Sequence, residues 1–189
     1  MNWLIRENEL AEKQERAFRD AREEEEMLLM RHPVAARQAY ARFGLLLGTL
    51  PPAAIFFKLF IGSFVYGINF PLFSLLLSMN IACAFAGYYF GSKLSGMASV
   101  IERDHWVLML IESVVIGFIW GAATGAVGGL IAFGVGAIFG AVIAAGVGMV
   151  AFGLFVPLHR LLARGGMIDA RHLWPLACGV VLFITALIL

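Results

Sequence analysis

The chain has 189 residues, 61% of them hydrophobic and only 14% charged, with a mean hydropathy of +0.86. Those values lie outside the range of soluble globular domains and within that of membrane proteins. The net charge of +1 is spread over no basic stripe, which excludes a nucleic-acid-binding surface.

Charge is strongly segregated. Residues 1–42 carry eight of the fourteen Lys and Arg and nine of the thirteen Asp and Glu. The chain therefore divides into a charged arm, 1–40, and an apolar bundle, 41–189. Residues 5–31 of the arm read as a solvated helix. Glu12 precedes Arg16 by four and Glu15 precedes Arg19 by four, the favourable order for pairs on one face. Leu10, Ala17, Phe18, Ala21 and Leu28 leave only a thin apolar stripe, fit for a solvated helix or for docking a partner as a short coiled coil. Pro33 breaks that helix and suits the first position of a second, which would run from Val34 through Arg42 into the membrane. No cleavable signal is expected, because charge follows Asn2–Ile5 directly.

Five apolar segments follow, at about 43–66, 71–92, 106–128, 131–156 and 174–189. Each approaches the ~20 residues needed to cross a bilayer, and the last is short enough that four crossings is the alternative. The expected fold is all-α, a polytopic transmembrane bundle with a cytoplasmic N-terminal helix. Gly128-Gly129 suits the tight turn between the third and fourth segments. With the N-terminus cytoplasmic, every Lys and Arg except Lys58 falls on one side, as the positive-inside rule expects. The C-terminus then lies opposite, and a plasma or inner membrane is the expected location. Trp106 and Trp174 mark the inner boundary and Tyr66 the outer one.

Small residues recur every fourth position: Ser113, Gly117, Gly121 and Gly125, then Ala132, Gly136, Gly140, Ala144 and Gly148. Such spacing makes a bare stripe on a helix and lets another backbone approach. The pattern resembles the glycine zipper of many unrelated membrane proteins, some of them oligomers or pores. That resemblance is to a packing motif and implies no activity. The stripes have two uses, closing the third segment on the fourth within one chain or joining copies. The fourth segment carries a second small stripe, Ala137, Ala141 and Ala145, which predicts a place at the bundle centre. Another small stripe, Cys83, Gly87 and Gly91, runs along the second segment.

Three polar groups at membrane depth form the candidate site: Lys58, Asn80 and Glu112. On a 1.5 Å rise Glu112 lies about 9 Å past Trp106, and Lys58 about 24 Å past Arg42. Those depths are too different for a direct pair. Glu112 is a candidate for cation binding or proton relay against a structural role, Lys58 for a cavity or for snorkelling outward, and Asn80 for an interhelical hydrogen bond. His105, His159 and His172 read as ordinary interfacial residues, and Cys83 and Cys178 as packing residues. No catalytic motif, metal site or cofactor is expected.

The functional expectation is a non-enzymatic membrane subunit, scaffold or sensor. Its partners would be the lipid bilayer and either further copies of itself or another membrane or cytoplasmic protein. The alternative is a small homo-oligomeric channel, pore or ion-coupled transporter using Glu112 or Lys58.

Overall fold

A computed structural model describes residues 10, 12–15, 17–18, 32–63, 70–102 and 104–189. It contains a short strand β1 (Pro33–Ala35), helices α1 (Ala36–Ser63), α2 (Phe70–Ile101), α3 (Trp106–Leu130) and α4 (Phe133–Leu162), strand β2 (Met167–Asp169), and helix α5 (Ala170–Ile188). All five helices are long and apolar enough to cross a membrane. Their apolar surface points outward: Phe85, Val107, Phe118, Val142 and Leu182 are all at least half exposed. A water-soluble bundle would bury such residues, whereas lipid solvates them.

The helices overrun the expected spans, chiefly at one end. α2 continues to Ile101 and α4 to Leu162, through stretches expected to be loop. Nothing in those stretches stops a helix. Gly91, Ser95 and Ala98 are buried small residues that keep α2 packed, and Pro157 does not end α4.

Pro33 does not start a helix. It lies in β1, which pairs antiparallel with β2, Val34 opposite Ile168. The signal for this pair is Gly165-Gly166. Both have left-handed φ, 54° and 75°, and they close Arg164 on Met167 through reciprocal backbone hydrogen bonds of 2.8 and 3.0 Å. Ile168 and Val34 are buried beneath the sheet, which is why three-residue strands persist beside the helices. Asp169 then caps α5, its carboxylate accepting the Arg171 amide at 2.9 Å.

The α3–α4 turn is displaced from Gly128-Gly129, which are helical and buried. It falls at Ile131-Ala132, with Phe133 held at φ 65°. The two glycines are wanted for their size. A Cβ on Gly128 would meet the Cys83 sulfur, and one on Gly129 the Gly136 carbonyl.

Helix pairs approach at the backbone in two antiparallel sets. Along α3 and α4, Gly117 faces Gly148, Gly121 faces Ala144, and Gly125 faces Gly140, each so close that an added Cβ would overlap the opposing carbonyl. Along α1 and α2, Gly44 faces Gly87, Gly48 faces the Cys83 carbonyl, and Gly91 faces that of Tyr40. These contacts set Gly117, Gly121 and Gly125 of α3 against Gly148, Ala144 and Gly140 of α4 within the chain.

α4 is central only at the basic end. There Phe152, Phe155, Val156 and His159 are fully buried against α1 and α5. At the far end Val135, Phe139, Val142 and Ile143 are exposed, and α4 rests on α3. The core is thus asymmetric: dense and aromatic near the basic end, open near the other.

Candidate functional site

The densest polar arrangement in the described residues lies at the basic end, where α1, α2 and α4 converge. Tyr40 and Phe43 on α1 share a face by i, i+3 spacing. Phe152, Phe155 and His159 share one on α4 by steps of three and four. The two faces interlock. Phe43 stacks on Phe155 with ring centroids 3.8 Å apart and planes 8° from parallel. Tyr40 packs edge-on against Phe155 and tilts over His159, at 5.3 and 5.1 Å. The column continues from Phe152 to Trp120, 5.5 Å away.

Glu102, one residue beyond the α2 end, closes this column. Its Oε1 takes the Tyr40 hydroxyl at 2.6 Å and lies 2.7 Å from Nδ1 of His159. As a carboxylate, Glu102 accepts from both the phenol and the imidazole N–H. His159 is fully buried and Glu102 nearly so, with 12% of its side chain exposed. Nε2 of His159 has no hydrogen-bond partner. One carboxylate oxygen therefore ties three helices together.

Charged groups around this node fasten its rim. Arg160 donates to the Asp104 carbonyl at 2.7 Å and lies over the Trp106 ring at 4.8 Å. Arg42 lies over Trp174, and Arg37 donates from Nε to the Ser92 hydroxyl at 3.0 Å. The two tryptophans expected at one membrane boundary thus occur at one end, each paired with an arginine. Tyr66 and Arg103 lie outside the described residues. The chain enters α1 through the pinned β1 segment, where Ala36 donates to the Gly166 carbonyl and Ala170 to that of His32, at 3.2 and 3.0 Å.

No protein-family model, curated protein or solved structure matches the chain.

The three polar residues expected at membrane depth do not come together. Lys58 is exposed and donates from Nζ to the Leu189 carbonyl at 3.0 Å, at the far end of α5. That contact gives the ammonium a partner at a helix C-terminus, where the dipole favours a cation. Glu112 sits in the second turn of α3, near the opposite end, and its buried Oε2 has no hydrogen-bond partner. Asn80 lines an apolar recess of about 150 Å³ between α1 and α2, with Phe56, Phe60 and Phe73. Its expected interhelical hydrogen bond is not present among the described residues. Ser113 is buried on the stripe and turns its hydroxyl back to the Leu110 carbonyl at 2.8 Å. Ala132 precedes α4, its methyl close beside Gly136.

His159 corrects the interfacial reading of the histidines. Its position four residues after Phe155 and seven after Phe152 puts it on the buried face. Glu102, absent from the expected site, is with Asp104 one of two acids where α2 emerges from the bundle.

Of the arm, Leu10, 12–15 and 17–18 have helical backbone and are exposed. The remainder of the expected 5–31 helix, including Arg16, Arg19 and Glu23–Glu26, lies outside the described residues.

Proposed function

We propose that the chain is a non-enzymatic integral membrane subunit, a scaffold or sensor, that presents its cytoplasmic arm to a protein partner. The observation that carries this reading is the fixed exit of the arm. β1 is held by β2 and backbone hydrogen bonds at Ala36 and Ala170, and α1 begins immediately after it. Four residues into α1, Tyr40 enters the Glu102–His159 node. A pull or a binding event on the arm is thereby mechanically connected to α1, α2 and α4 together.

In this reading the close approach of Gly117, Gly121 and Gly125 to α4 is a glycine zipper closed within the chain, a device for rigidity. The partner is then bound by other surfaces, the arm foremost. The positive residues at the node end support a cytoplasmic placement of the arm and an inner or plasma membrane location.

The channel or transporter alternative draws no support from Lys58 and Glu112, which lie near opposite ends and share no partner. The decisive experiment isolates the full chain and a chain lacking residues 1–31 in mild detergent. Loss of a stoichiometric companion with the arm, from a bundle that still folds, supports the proposal. Ion flux through liposomes containing the chain, abolished by Glu112→Gln, would replace it with the alternative.

A further inference from the structure

Near the far end, α1 parts from α3 and α4 and leaves a cavity of about 280 Å³. Its walls are almost wholly apolar. Pro51, Cys83, Trp120 and Gly140 line it, and Ile143 and Phe139, both more than half exposed, form its rim. The space lies where α1 stands off from the closely packed α3–α4 pair, and the tight Phe43–Phe155 stack is confined to the other end.

One polar atom in this wall is unaccounted for. Thr124 is 97% buried, and its hydroxyl has no hydrogen-bond partner. A helical threonine commonly bonds back to a carbonyl of the preceding turn, as Thr49 and Thr185 do here. Trp120, the other polar side chain in the wall, has already given its indole N–H to the Gly87 carbonyl at 3.2 Å. Thr124 is the one hydroxyl in this wall with a hydrogen bond still to offer.

Depth identifies the occupant. Thr124 lies about 27 Å along α3 from Trp106, close to the far edge of a ~30 Å hydrocarbon layer. On the same helix the lining begins at Trp120, about 21 Å from Trp106, and ends at Gly129, about 35 Å from it. The cavity therefore lies in the far half of the membrane, covering ester-carbonyl depth and the upper acyl-chain region on either side of Thr124, and opens sideways to lipid at Ile143 and Phe139.

We propose that this cavity binds one acyl chain of a membrane phospholipid from the far leaflet, with the ester carbonyl accepting a hydrogen bond from Thr124. No charged side chain lines it. The recognised feature is hence the chain and its carbonyl, independent of headgroup.

The test places the full chain in phosphatidylcholine nanodiscs doped with phosphatidylcholine bearing a photoactivatable diazirine on one acyl chain, and maps adducts by residue. Cys83 and Thr124 should be labelled well above Phe118 and Ile119, which face lipid on the outside of α3. Thr124→Val, nearly isosteric, should lower cavity labelling about three- to tenfold, the worth of one neutral hydrogen bond. Ile143→Trp, at the exposed rim, should abolish it while leaving Phe118 and Ile119 labelled. Equal labelling of cavity and outer residues, indifference to Thr124→Val, or links from Ile143 to a second copy of the chain would each overturn the proposal.

Discussion

His159 and Glu102, 57 residues apart in sequence, meet at 2.7 Å in the buried end of the bundle. The imidazole is fully enclosed, and the same carboxylate oxygen also holds Tyr40. Partners so enclosed depend on each other. Alone, either would be a polar group stranded among aromatic rings.

Glu102→Ala should therefore destabilise the protein by about 2–5 kcal/mol, because it leaves both the Tyr40 hydroxyl and Nδ1 of His159 without their partner. Tyr40→Phe should cost about 1.5–3 kcal/mol, since it deletes one hydrogen bond to a charged acceptor and keeps the ring stack. Unfolding titrations with SDS in mixed micelles measure both. A smaller loss for Glu102→Ala than for Tyr40→Phe would contradict the node.

Glycines on the helix contacts should differ sharply from those off them. Gly121→Ala drives a methyl into the Ala144 carbonyl and should destabilise α3 against α4 by about 1–3 kcal/mol, as overpacking does. Gly146 has nothing within 4 Å of an added Cβ. Gly146→Ala should be neutral or stabilising by up to about 1 kcal/mol through helix propensity. Thermal unfolding of the two variants in one detergent compares them, and equal effects would refute the assigned faces.

How much of this was legible in the residues follows from the kind of signal each feature leaves. Five crossings and the α3–α4 stripes are local patterns, spelled by composition and by spacing of four. The Gly44–Gly48 contact with α2 had the same spacing but only two members, too few to stand out. Glu102 and His159 are joined by tertiary contact alone, and a histidine near a helix end reads as interfacial until its stripe is traced back to Phe152. Pro33 suits both a helix start and a strand edge, and only the left-handed Gly165-Gly166 turn, far along the chain, separates the two.

Phe133 sits at φ 65° in the α3–α4 turn and is 85% exposed. A left-handed conformation costs a non-glycine residue about 1–2 kcal/mol. Phe133→Gly should therefore raise the melting temperature slightly, whereas Gly129→Ala, at the position where a turn was expected, should lower it. Reversal of those signs would move the turn back to Gly128-Gly129.

Glu112 has one oxygen buried without a partner. If its role is structural, Glu112→Gln should leave the melting temperature unchanged or raise it, because the charged form gains nothing there that an amide loses. A marked loss of stability on that substitution would indicate an essential carboxylate.

The arm's mechanical connection to the node is tested most directly by hydrogen exchange on the full chain in nanodiscs. The amides of Ala36 and Ala170 should be protected in the wild type and lose protection in Glu102→Ala, while amides of Gly121 and Gly125 in the α3–α4 contact remain protected. Unchanged protection at Ala36 and Ala170 would contradict the account, since the arm's anchorage would then be independent of the residues it is said to grip.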